Sequence, residues 1–93
     1  MSETSPVALT DDTRLLLKQL AAKLDGHRPE DAMREESRLA QALVFAEKLH
    51  GPTEAAYEAE LALLEAAPPV RAGQTRGHYA ALLRRIAEGR GGE

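Results

Sequence analysis

Glu47 and His50, in the run Glu47-Lys48-Leu49-His50-Gly51-Pro52, are the residues whose types and spacing come nearest to chemistry. Three positions apart on a helix, a carboxylate and an imidazole share a face. Glu-x-x-His is half of the inward-facing ligand set of di-iron carboxylate bundles. The full set needs a second such motif and two further carboxylates. A symmetric homo-oligomer would supply the copy, with Glu54 or Glu58 completing a site for iron or another divalent metal. The same residues also read as a helix end. A histidine in the last turn suits the negative pole of the helix dipole, and Gly51-Pro52 is ordinary stop chemistry. The second reading is favoured, and the metal-binding bundle built on Glu47 and His50 is kept as the alternative.

Other reactive types are sparse. His78-Tyr79 opens a helical stretch without a nucleophile or positioned carboxylate beside it, and His27 falls in a turn. Tyr79 reads as a core aromatic with its hydroxyl at the edge. Arg71, Arg76, Arg84 and Arg85 form a basic end, but nucleic-acid modules show a stronger charge excess or stacking aromatics. The glycines at 73 and 77 lack the Lys-Ser/Thr sequel of a phosphate-binding loop, and there is no Gly-x-Ser-x-Gly. With no cysteine, thiolate metal sites, iron–sulfur clusters and cysteine nucleophiles are excluded. These observations point to a non-catalytic protein with no cofactor of its own and no nucleic-acid partner.

The elements that must position these residues are helices. In a chain of 93 residues one domain is expected, over 10–89, with loose ends at 1–9 and 90–93. Thr10 caps a first helix from Asp11 to Leu24, with the stripe Leu16, Leu17, Leu20 and Leu24, ended by Gly26. A second runs from Pro29 to about Leu49. Its stripe is Met33, Leu39, Leu43, Ala46 and Leu49 or His50, widened by Ala42 and Phe45, and Glu30 and Arg34 make an i,i+4 pair. A third begins at Pro52 or Thr53 and stops before Pro68-Pro69, with Tyr57, Leu61 and Leu64 on one face beside Leu63. After the loop Val70–Gly77, a fourth helix to Glu88 carries Tyr79, Leu82, Leu83 and Ile86 at i, i+3, i+4 and i+7.

Three aromatic residues, Phe45, Tyr57 and Tyr79, are all the chain has, and its apolar content is mainly Leu and Ala. Alanine makes good helix and little core. Such a chain is expected to lean on copies of itself or on another subunit. Net charge is −3, with seven Lys/Arg against thirteen Asp/Glu in residues 1–70 and five Arg against two Glu in 71–93. The opposite charges predict that the third and fourth helices pack together. The absence of a leader pattern and of a long apolar run predicts a soluble cytoplasmic protein away from membranes.

Residues 36–89 resemble the helical N-terminal region of nitrile hydratase β-type subunits and their small accessory proteins. The parts that carry the resemblance are Glu36-Ser37-Arg38-Leu39 through Leu49-His50-Gly51, Glu54 to Ala67, Pro68-Pro69, and Gly77-His78-Tyr79-Ala80-Ala81-Leu82-Leu83. The chain departs from that pattern at Pro52-Thr53, where the family has an aromatic. It also departs at His78, Tyr79 and Leu82 or Leu83, where the family has paired tyrosines and a tryptophan, and in Ala55–Glu65, which lacks the family's arginines. The resemblance implies a docking or accessory subunit whose larger partner, not this chain, holds the metal.

The expected fold is therefore all-α, a compact bundle of three to four short antiparallel helices. The expected function is a small interaction protein, either a homo-oligomer or a subunit of a larger enzyme. Phe45, Leu49, Tyr57, Leu61 and Leu64, together with Tyr79, Leu82, Leu83 and Ile86, are the residues expected to form its contact surfaces.

Overall fold

A computed structural model of the chain describes residues 9–89, and over them the fold is all-α: α1 (Asp11–Asp25), α2 (Glu35–His50), α3 (Glu54–Ala66) and α4 (Arg76–Ala87). The loose ends expected at 1–9 and 90–93 lie outside the described residues except for Leu9, which packs against the core.

Three of the four helices start on a threonine. Thr10, Thr53 and Thr75 each turn a side-chain oxygen onto the amide three residues ahead, of Thr13, Ala56 and His78. This satisfies a donor that the first helical turn leaves without a partner. Asp11 and Asp12 sit in the first turn of α1, where the dipole favours them. Gly26 does end α1, but with φ −86 it is not a left-handed cap. The chain turns back at Arg28, the one non-glycine residue with positive φ among those described.

α2 begins at Glu35, six residues after the expected Pro29 start. The intervening backbone is engaged elsewhere: the amides of Met33, Arg76 and Gly77 donate to the carbonyls of Gln74, Asp31 and Pro29, at 2.9, 2.8 and 2.8 Å. A short antiparallel bridge, Ala32 with Thr75, therefore ties the α1–α2 connection to the start of α4. Glu30 and Arg34 lie outside the helix, so their expected i,i+4 relation is not realised. Met33 is buried, but from this connection and not from a helical stripe.

α1 packs along α4, α2 packs along α3, and α1 also touches α2 and α3. The expected pairing of α3 with α4 is corrected: α4 lies on α1. The reason is apolar matching. Leu16, Leu17, Leu20, Leu24, Tyr79 and Leu83 are all fully buried, and they come from the two helices with the most sharply one-sided apolar patterns. At the margin, Arg84 Nη1 lies 3.0 Å from Asp25 Oδ2 on an exposed edge. Leu63 and Ala67 bring α3 into the same core, with Leu64, Leu82 and Ile86 partly buried at its border.

Candidate interaction surface

The buried lines of α2 and α3 keep Ala42, Ala46 and Leu63 of the expected apolar positions but not the larger residues Leu39, Leu43, Tyr57 and Leu61. On α2 the buried residues are Arg38, Ala42 and Ala46; on α3 they are Ala56 and Leu63, followed by Ala67 at the cap. Apart from Leu63 and Arg38 these side chains are small. The larger apolar residues of the expected stripes stand in solvent: Tyr57 is 60% exposed, Leu61 48%, Leu39 46% and Leu43 43%.

Arg38 explains the phase of α2. A helix leaves its last carbonyls without amide partners, and here Pro68 and Pro69 remove the two amides that would have reached Leu64 and Glu65. Arg38 supplies the donor for Leu64 and also reaches the carbonyl of the cap residue, Ala67. Its Nη2 donates to Leu64 O at 2.9 Å and its Nε to Ala67 O at 3.0 Å, while Nη1 bonds the Glu35 carboxylate. The other Glu35 oxygen accepts from the Val70 amide at 3.0 Å, and the Tyr79 hydroxyl donates to Pro68 O. The polar groups around the proline pair thus find partners on α2 and α4. Arg38 is buried as a consequence, and the residue next to it, Leu39, is turned outward.

Helical spacing puts four of the exposed large apolar residues, Leu39, Leu43, Tyr57 and Leu61, on one side of the α2–α3 pair; Leu15, Val44 and Leu49 are exposed as well, the last two beside α1. Arg38, near the start of α2, meets the end of α3, and Gly51–Thr53 joins the other ends, so the two helices run antiparallel. Leu39 then stands across from Leu64, and Leu43 from Leu61. In right-handed helices running in opposite directions, the residues one step beyond the buried line turn toward the same outer seam. By that geometry Leu39 and Leu43 of α2 and Tyr57 and Leu61 of α3, all exposed, face that seam, and Leu64 is half-buried. Single exposed leucines need no explanation, but a contiguous group marks an interaction site.

A second apolar depression of about 540 Å³ lies between α1 and α2, with Val44, Phe45 and Leu49 on one side and Gln19, Ala22 and Lys23 on the other. Phe45 is half-buried there, and Lys48 Nζ lies 5.6 Å from its ring centroid, within cation–π range.

The other residues singled out in the sequence are separately placed. His50 ends α2, and its Nε2 lies 3.2 Å from Asp12 Oδ2 at the start of α1, whereas Glu47 is exposed. No group of three or more His, Asp or Glu side chains with metal-ligand placement occurs among the described residues. Tyr79 and Leu83, expected at a contact surface, are corrected to the chain's own core; Leu82 and Ile86 are only partly covered. Burial pushes the Tyr79 hydroxyl pKa above its usual value, with the Arg38 guanidinium opposing the rise. No described helix is long and apolar enough to cross a membrane.

The sequence reading missed Arg38 and Glu35. The available signal was the proline pair itself, since two consecutive residues without amides at a helix end require donors from elsewhere.

No family model matches the chain, and neither the curated proteins nor the solved structures contain a match to it.

Proposed function

We propose that the protein is a non-catalytic helical interaction module, an accessory or docking subunit that works through the outer face of the α2–α3 hairpin. One observation carries the reading: Leu39, Leu43, Tyr57 and Leu61 are all exposed, while the buried residues of α2 and α3 are Ala42, Ala46 and Ala56 with Arg38 and Leu63. A helix pair that needed only to fold would gain by turning its leucines inward, at roughly 1.5–3 kcal/mol for each side chain fully buried. Holding them outside is consistent with a surface completed by another chain. The likeness of residues 36–89 to nitrile hydratase β-type subunits and accessory proteins fits such a role, with the metal held by the larger partner.

The test is the mass of the full-length tagged protein in extracts of its own host, compared with a Leu43→Asp/Leu61→Asp double variant. The wild type is expected in a stoichiometric complex heavier than its own 10.1 kDa. The variant is expected to fall to the mass of the free chain while keeping its melting temperature. Wild type and variant migrating alike would remove the proposal.

A further inference from the structure

We infer that the occupant of the α2–α3 outer face is an amphipathic helix of a different protein, with lysines or arginines flanking its apolar stripe. The inference rests on the interaction reading above and adds the chemistry of the partner.

The shape of the face selects a helix. Two antiparallel helices leave a shallow seam along their outer side, and a third helix lies in such a seam through apolar residues at i, i+3 or i+4, and i+7. With Arg38 bonded to Leu64 O, helical rise puts Leu39 near the level of Leu64 and Leu43 near that of Leu61, with Tyr57 toward the connection.

The charge of the rim selects the flanks. From 35 to 66 the chain carries seven glutamates and two cations, Arg38 and Lys48. Neither cation serves the outer face: Arg38 is buried against the end of α3, and Lys48 lies over Phe45 on the flank toward α1. Glu36, Glu47, Glu54, Glu58 and Glu65 are exposed and, by helical spacing, lie beside or beyond the leucines on the solvent side. A basic-flanked helix meets opposite charge along its whole length. A second copy docked face to face would bring two such rims together, and like-charge juxtaposition disfavours that pairing. The depression between α1 and α2 has Lys23 and Lys48 at its edge and so selects against the same ligand.

The experiment titrates the full-length chain with two synthetic helical peptides that share a leucine stripe and differ only in flanks, Lys in one and Glu in the other. Binding is followed by anisotropy and mapped by amide chemical shifts. The Lys peptide is expected to bind at least about tenfold more tightly. Its shifts should centre on α2 and α3, and its affinity should fall with added salt. Leu43→Asp/Leu61→Asp should weaken it by roughly tenfold or more, and Glu47→Gln/Glu54→Gln should narrow the gap between the peptides, while Val44→Asp in the other depression leaves binding unchanged. All five positions are exposed, and thermal melts check that each variant folds. Equal binding of the two peptides, no binding, or sensitivity to Val44→Asp alone would overturn the inference. So would light scattering that gives a dimer of the free chain dissociated by Leu43→Asp/Leu61→Asp. If the peptides fail but the host complex still depends on Leu43 and Leu61, the docking face stands and only the basic helical partner falls.

Discussion

Arg38 closes the end of α3: its guanidinium lies 2.9 Å from Leu64 O, whose usual donor Pro68 removes, and 3.0 Å from Ala67 O at the cap. Replacing Arg38 by methionine keeps the bulk and strands two carbonyls. An apolar substitute is often harmless when both members of a buried polar pair are replaced, but backbone carbonyls cannot be replaced. Arg38→Met should therefore cost about 2–4 kcal/mol in urea unfolding. Arg38→Lys should fall between the two, since an ammonium lacks the planar fork that reaches both carbonyls and Glu35 together. A methionine variant as stable as wild type would refute this role for the arginine.

Tyr79 makes a pH-dependent contribution of determinable sign. Its pKa is raised in the folded chain, chiefly by burial. Above pH ~10 the unfolded chain loses the tyrosine proton while the folded chain keeps it. The unfolded state then binds fewer protons, so this contribution is complete below pH ~10 and is lost as pH rises through the folded value. Tyr79→Phe should cost about 1 kcal/mol near neutrality, from the hydrogen bond to Pro68 O. That difference should shrink in unfolding measurements made above pH ~10. A difference that grows with pH would contradict the assignment.

Leu61 and Leu63 are near neighbours in sequence with opposite consequences. Leu63 has no exposed surface, so Leu63→Ala should cost about 2–5 kcal/mol, much of what a domain this small possesses. Leu61→Ala should change stability by less than about 0.5 kcal/mol, because the side chain is half in water. Thermal melts of the two variants decide whether the phase of α3 is as described. A large loss at Leu61 with little at Leu63 would restore the stripe expected from sequence.

Gly51 joins the two helices that carry the face. Its backbone, φ 71 and ψ −176, lies where side-chain-bearing residues are strained, and a Cβ there would meet nothing within 4 Å. Gly51→Ala should therefore cost about 1–3 kcal/mol through the backbone alone. At 4–8 °C per kcal/mol for small domains, the loss is readily seen in a melting curve. An unchanged melting temperature would place the α2–α3 connection in another conformation.

What was legible in the sequence follows from how strongly each element signals on its own. α1 and α4 have one-sided apolar patterns, and their buried residues are largely the expected ones. The caps at Thr10, Thr53 and Thr75 depend on local bonding, so helix starts there fall within a residue or two of expectation. The start of α2 was not legible because its backbone partners, Gln74 to Gly77, are some forty residues away. The phase of α2 is not legible because its apolar stripe favours Leu39 and Leu43 by size, whereas Arg38, Ala42 and Ala46 take the buried line, and Arg38 is held there by Leu64 O and Ala67 O. Within the candidate surface, Tyr57, Leu61 and Leu64 are among the expected contact residues, whereas Leu39 and Leu43 are expected only as part of the apolar stripe of the second helix.

The most direct test of the docking face uses the chain's lack of cysteine. A single Leu43→Cys variant, full-length and expressed in the native host, is labelled with maleimide in intact cells and again after purification, with Lys18→Cys on the exposed side of α1 as reference. The account predicts that the thiol at position 43 is protected several-fold in cells relative to the purified chain, while the thiol at 18 reacts equally in both. Equal labelling at 43 in the two settings would contradict it.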